Sequence, residues 1–379
     1  MMKWGRYHWR HYFGGVALVL LLLQLLTGIF LGFFYSPHLK EAYASVQYLY
    51  NQFPTGGLVR DGHRWLAFLL LVAVIVHSVR SLLRRDFQRP GGAVTWVTGA
   101  LLLPLLLAFL ATGFILPWEW RGYWFMEMIP NAFGFIPVVG PAIKAFLIEV
   151  FTLNRTLIVH VVVLPFLAFI LMEYHIFAKL HKRSGGILRY IPRHGLLALP
   201  FLVAVMVLAY YIPTPTQDPQ IVPMPLEGAF IPTAEWFLLI FWVPFFHYAK
   251  ALAPWVGMVL PLVVFVLLAL LPFYFKPRGV DTRGLDPDKA DAVLGAQPVG
   301  FGRRVWAFSA VLVTVSVLFG GMFMVTYRSP TLGCNSCHNI AMGERMGIPP
   351  DAFKNRNIVP LLEDDGWMTR HWFIPTHVW

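Results

Sequence analysis

Apolar residues fall into seven runs long enough to cross a bilayer, separated by polar, basic or proline-rich connections. A helix of about twenty apolar residues spans the hydrocarbon core. The runs are A, Phe13 to Tyr35; B, Trp65 to Leu83; C, Ala93 to Leu116; D, Thr156 to Lys179; E, Leu196 to Ile212; F, Trp255 to Phe275; and G, Val305 to Thr326. An eighth run, Trp236 to Phe246, is too short to span and follows the proline-rich stretch Pro213 to Pro232. It is predicted as an interfacial or re-entrant helix, because non-helical backbone at membrane depth must be covered by protein. The pattern thus predicts an all-α membrane protein of seven transmembrane helices. Its divisions are a four-helix bundle (residues 1–190), a three-helix part (191–328) and a tail (329–379).

Composition agrees: 58% of the 379 residues are hydrophobic and only 13% charged, about half the charged share of a soluble domain. The basic segment Met1 to Arg10 leads into span A with no small-residue cleavage site, so A is read as a retained span rather than a removed signal. A net charge of +11 could mean nucleic acid, but its distribution says otherwise. The N-terminus and the B–C, D–E and F–G connections carry eighteen of the thirty Lys and Arg residues, against seven in the opposite loops and five after span G. That bias places the N-terminus on the cytoplasmic (n) side of a bacterial inner membrane and, after an odd number of spans, the tail on the periplasmic (p) side. Membrane topology accounts for the charge, and no nucleic-acid partner is expected.

Ionisable residues inside spans are rare, and four histidines stand out: His63 and His77 on B, His160 and His175 on D. Fourteen helical steps leave the first pair about 40° apart, fifteen leave the second about 60° apart, and each pair is separated by about 21 to 23 Å of rise. B and D run parallel because one span lies between them. His63 then meets His160 near the p side, and His77 meets His175 near the n side. Two stacked pairs of imidazoles across an apolar slot suit two low-spin, non-covalent haems b. Zinc or copper fits less well, since each face offers two ligands and only Glu173 adds a carboxylate nearby. Gly14, Gly15 and Gly28 on A, with Gly99 and Gly113 on C, repeat the fourteen-residue interval and could admit a porphyrin edge, or serve ordinary helix packing. Arg64, Arg80 and Arg155 flank the histidines near the membrane faces, where they could pair with haem propionates or simply snorkel.

The two cysteines of the chain lie in one run, Cys334-Asn335-Ser336-Cys337-His338. This is the attachment motif of a covalent haem c, with His338 as an iron ligand. It falls on the side to which topology assigns the tail. Met342, Met346, Met368, His371 and His377 are all available as the sixth ligand. Only about forty residues follow His338, too few to bury a haem alone, so a partner subunit is expected to cover it.

Taken together, these residues strongly resemble the cytochrome b family of quinol-oxidising bc and bf complexes. The likeness rests on Tyr12-Phe13-Gly14-Gly15, Gln24-Leu25-Leu26-Thr27-Gly28, Ala42 to Tyr48, His63-Arg64-Trp65, Trp96-Val97-Thr98-Gly99, Leu116-Pro117-Trp118, Tyr123-Trp124, Ile136-Pro137-Val138-Val139-Gly140 and Asn154-Arg155 to His160. Spans A to D match closely and E to G more loosely. The fourteen residues between His160 and His175, and the seven-span count, are similar to the plastid and cyanobacterial bf branch, with its two polypeptides joined into one chain. The family builds a p-side quinol-oxidation pocket partly from a Pro-Glu-Trp-Tyr or Phe motif. The matching run here is Thr233-Ala234-Glu235-Trp236-Phe237, with alanine in place of the proline. A carboxylate in an apolar pocket can accept a quinol proton, so Glu235, with Trp236 beside it, is the catalytic candidate. The bf branch attaches a further haem through a cysteine just before the Gly-Gly of span A. Tyr12 stands near that place, so no such haem is expected.

The resemblance implies the core of a quinol-oxidising electron-transfer complex. One electron from p-side quinol goes to a Rieske-type iron-sulfur partner. The other crosses through the two haem b sites to quinone on the n side, with proton translocation. Two cysteines cannot both attach haem and hold an iron-sulfur cluster, so the Rieske protein is a separate partner, with a c-type cytochrome or another periplasmic subunit as acceptor. A dimer or larger complex embedded in lipid is expected. The alternative is a non-bifurcating relay between a periplasmic redox partner and the quinone pool; Glu235-Trp236 favours the first reading, and Ala234 and the unusual tail favour the second.

Overall fold

The computed structural model describes residues 12–150, 152–182, 186–214, 236–238 and 252–277, with single positions at Phe241, Pro244, Asp281, Leu285, Lys289, Val293, Val313, Val317 and Gly321. Glu235, all of span G except Val313, Val317 and Gly321, and the whole Cys334-Cys337-His338 tail lie outside the described residues, and so does all of the Trp236 to Phe246 run except Trp236–Leu238, Phe241 and Pro244.

Among the described residues every regular element is helical. The order is α1 (Tyr12–Gly32), α2 (Ala42–Gln52), α3 (Gly56–Leu83), α4 (Ala93–Ile115), α5 (Trp120–Gly134), α6 (Gly140–Val150), α7 (Leu153–His181), α8 (Gly186–Tyr211), α9 (Trp255–Ala269) and α10 (Leu271–Tyr274). Single 3-10 turns cover Asp86–Gln88 and Trp236–Leu238. Five of the helices, α1, α3, α4, α7 and α8, are long and apolar enough to cross a membrane, and they correspond to the predicted spans A to E.

Three boundaries move by six residues or more. Span B starts at Gly56 rather than Trp65, so Arg60 and Arg64 belong to a helix and not to a loop. At 28 residues, about 42 Å, α3 exceeds a hydrocarbon core of about 30 Å, and its extra turns carry the polar residues Arg60 and Asp61. Span E begins at Gly186, ten residues early. Pro192 does not stop it, and the expected division at residue 190 falls inside this helix. Span F ends at Ala269, because Pro272 cannot donate to the carbonyl four residues back, and a short turn, α10, follows the break.

The helices pack as two pairs. Helix α1 lies along α3, and α4 lies along α7; α3 and α4 join the pairs, α8 covers α1 and α3, and α9 lies on α4. One apolar cluster joins Val16, Leu20, Leu66, Leu70, Ala73, Ala198 and Val205, where α8 closes over α1 and α3. A second joins Phe68, Leu71, Leu110, Ile115, Trp118, Phe125 and Phe237 at the end of the bundle nearer His63. The outer surface is apolar as well: Val162, Phe166, Phe169, Val203, Leu262 and Val264 are exposed, as a lipid-facing sheath requires.

Aromatic side chains with polar tips tie helix ends together. Tyr35 donates its hydroxyl to the Leu116 carbonyl at 2.6 Å and Trp65 its indole N–H to Ile212 at 3.0 Å, both just past helix C-termini. Trp96 donates to the Leu268 carbonyl at 2.8 Å, and Leu268 is the residue that Pro272 leaves without its α-helical donor. Carbonyls at helix ends and proline breaks need a partner in an apolar medium, and an indole or phenol supplies one while keeping its ring in apolar contact.

Candidate functional site

The four span histidines come together in two pairs, as their spacing predicts. The rings of His77 and His175 stand 6.2 Å apart between centroids. That is the separation two imidazoles need to reach one metal from opposite sides at about 2 Å each. His63 and His160 form the second pair, close enough to interact electrostatically.

Each histidine faces a glycine of the neighbouring helix. A Cβ on Gly14 would stand 3.1 Å from the His77 ring, one on Gly28 3.2 Å from His63, one on Gly99 2.7 Å from His175 and one on Gly113 3.3 Å from His160. Helix packing alone would not align four glycines with four histidines. The fifth glycine of the set, Gly15, is different: a side chain there would overlap the ring of His194 on α8.

Hydrogen bonds fix the tautomers. Thr27 donates its hydroxyl to the Leu23 carbonyl at 2.8 Å, so its oxygen accepts from His63 Nδ1, also at 2.8 Å. Thr112 repeats this arrangement, donating to Ala108 at 2.7 Å and accepting from His160 Nδ1 at 2.8 Å. His175 Nδ1 meets the Thr95 carbonyl at 2.9 Å, and a carbonyl can only accept. In all three rings the proton sits on Nδ1, which makes Nε2, with its lone pair, the ligand atom. At His63 that lone pair accepts from the Gln24 amide at 3.0 Å. The donor set, its orientation and the glycine cradle therefore fit a pair of bis-imidazole iron sites.

The arginines divide. Arg64 lies over the rings of Trp65 and Phe68, and Arg155 donates to the Glu149 carbonyl at 2.5 Å. Arg80 lies on the last turn of α3, three residues after His77. The sequence reading missed Arg60. Three residues before His63 and only 9% exposed, it donates to Glu119 at 2.5 Å and to the Tyr50 hydroxyl at 2.9 Å. Tyr50 in turn donates to Asp61 at 2.5 Å, and Asp61 also accepts from the Thr214 backbone at 3.0 Å, where the proline-rich connection begins. Glu119 is delivered by Trp118, a fully buried residue in the left-handed region at φ 51°. Burial pushes the Tyr50 phenol up to about 12. The signal for Arg60 was its place one turn before His63; the signal for Thr27 and Thr112 was the dipeptide Thr-Gly, which recurs at 27–28, 98–99 and 112–113. His194 was also missed. It is buried, its ring stacks on Tyr190 at 3.9 Å, and its Nδ1 lies 3.0 Å from the Tyr190 carbonyl.

Of the quinol-site candidates, Trp236 opens the 3-10 turn Trp236–Leu238. Its neighbour Phe237 is buried against Phe68 and Phe114, at 6.3 and 6.0 Å between ring centroids. This seats the turn on the cluster at the His63 end of the bundle.

A sequence profile of the family described as Cytochrome b/b6/petB matches residues 6–184. The cytochrome b6 of Gloeobacter violaceus is 39% identical over 176 residues, covering 45% of this chain and 81% of that protein. Those of Tupiella akineta and Synechococcus elongatus are each 38% identical over the same length and shares. A solved chain described as "Hyperthermophilic respiratory Complex III" superposes with a TM-score of 0.57, covering 84% of this chain and 91% of that one. At 20% identity, that likeness speaks for the fold.

Proposed function

This chain belongs to the cytochrome b family, the membrane electron-transfer subunits of quinol-oxidising complexes, and from that premise we propose that it holds two haems b and oxidises quinol at the p side. The observation that carries the reading is the register of four histidines against four glycines, with the proton held on Nδ1 in His63, His160 and His175 so that Nε2 is the ligand atom. His63 and His160 bind one iron, His77 and His175 the other. Haem bound there supplies one-electron carriers near each membrane face. Thr27, Thr112 and the Thr95 carbonyl orient the rings, and Gly14, Gly28, Gly99 and Gly113 keep the slots open. Arg64, Arg80 and Arg155 offer positive charge to the haem carboxylates.

Glu235 accepts the quinol proton and releases it outward, with Trp236 shaping the pocket. Phe237, buried at the His63 end, supports this placement, because it brings the pocket segment to the p-side pair. Cys334 and Cys337 attach a haem c that His338 ligates. With both thiols so used, the iron-sulfur centre belongs to a Rieske partner, and a c-type cytochrome or similar periplasmic subunit takes the electron onward. The protein is a multi-pass component of the bacterial inner membrane, N-terminus inside and tail in the periplasm, acting in a dimer or larger complex.

Glu235→Gln tests the chemistry, since it keeps size and polarity but cannot take the proton. Quinol-driven haem b reduction, measured with an n-side inhibitor present, is expected to fall by about ten- to ten-thousandfold. Wild-type rates would instead identify a relay that oxidises no quinol at the p side.

A further inference from the structure

Three of the four bundle helices share one ruler: Gly14 to Gly28 on α1, His63 to His77 on α3 and Gly99 to Gly113 on α4 are each fourteen steps. On α7 His160 to His175 is fifteen, yet His160 meets Gly113 and His175 meets Gly99. In a regular α-helix the extra residue would shift one ring by about 1.5 Å of rise and 100° of azimuth. Helix α7 is not regular there. Val159–Val163 forms a π turn, closed by the Leu164 N–H on the Val159 carbonyl. A π turn holds an additional residue within a single turn. Val161, Val162 and Val163 are all exposed, so the excess backbone bulges away from the bundle.

The cause lies in the next residue. Pro165 has no N–H for the Val161 carbonyl, and its ring would collide with that carbonyl in an α turn. The same signature recurs on α9, where the π turn Trp255–Val259 closes on Leu260 immediately before Pro261. A second π turn on α7, Glu173–Phe177, surrounds His175 and has no proline after it.

We infer that Pro165 is a positioning residue: by widening the turn at His160 it absorbs the fifteenth step and brings α7 into phase with its three partners. The inference rests on the reading of the four histidines as haem ligands. The test uses the purified full-length holoprotein and reads each haem b by its absorption band, its low-temperature EPR signal and its extractable amount.

Pro165→Ala restores the missing N–H, closes the turn and misphases His160. The His63/His160 component is expected to fall by about tenfold, or its EPR signal to shift, while the His77/His175 component of the same molecules persists and reports a folded bundle. Deleting the lipid-facing Val162 in the Pro165→Ala background returns the spacing to fourteen and is expected to restore the lost component. Deleting Val72 from α3, which has no π turn to absorb the change, is expected to cost a haem. Unchanged spectra in Pro165→Ala, or no recovery on deleting Val162, overturn the proposal. His160→Ala separates this from the ligand reading: if that variant keeps both haems, the ligand assignment fails whatever Pro165→Ala does.

Discussion

At the residue scale, chemistry depends on small groups beside the histidines. Gly99 allows the closest approach, with a hypothetical Cβ 2.7 Å from His175. Gly99→Val is therefore expected to abolish the His77/His175 haem while sparing the other, checked by redox titration of the two haem b components. Tyr50 makes a pH prediction. Burial raises its phenol to about 12 from an ordinary value of 10. Between those values the unfolded chain has released the proton and the folded protein has kept it, so stability is complete below about pH 10 and is lost as pH rises toward 12. In Tyr50→Phe this alkaline decline is expected to flatten, although the loss of hydrogen bonds to Asp61 and Arg60 lowers stability at neutral pH. Thermal unfolding of the two proteins across pH 9 to about 12 measures the difference. The pairing of Tyr50 with Asp61 and of Arg60 with Glu119 was not legible in advance, because these partners meet only when α2, α3 and the turn at Trp118 converge.

At the element scale, apolar run length located spans A to E, since hydrogen-bond satisfaction in lipid leaves a chain few choices. It missed α2, α5 and α6. These helices have eleven to fifteen residues, too short to cross, and polar residues interrupt their apolar pattern. It also cut span E short, because Arg189, Arg193 and Pro192 interrupt the apolar pattern without interrupting the helix. The aromatic ties between helices were invisible in the same way. Trp96→Phe keeps the ring but leaves the Leu268 carbonyl without its indole donor. A loss of about 0.5 to 1.5 kcal/mol is expected, measured by reversible unfolding in mixed detergent micelles.

At the scale of the whole molecule, the two-pair arrangement makes a stoichiometric demand. Acidified solvent is expected to release two haems per chain and leave one covalently attached. His63→Ala and His160→Ala are expected to remove the same spectral component, and His77→Ala and His175→Ala the other. One extractable haem, or loss of a shared component in His63→Ala and His175→Ala, would reject the pairing. The pairing follows from chain direction: α3 and α7 run parallel with α4 between them, so like-numbered ends meet.

What the sequence determined by itself was whatever is carried by composition and period: spans A to E, and the histidines and glycines at intervals of fourteen and fifteen. These are one-dimensional signals, and a helix of known pitch converts them directly into position. The tertiary structure decided what depends on contact between distant segments. Which glycine meets which histidine, which nitrogen carries the proton, and how Arg60 joins Glu119 are settled only when helices pack. The phase of His160 belongs to both. Pro165 is visible in the sequence, but whether a proline kinks a helix or widens it into a π turn depends on the neighbours it must fit, here the fourteen-residue interval of α4.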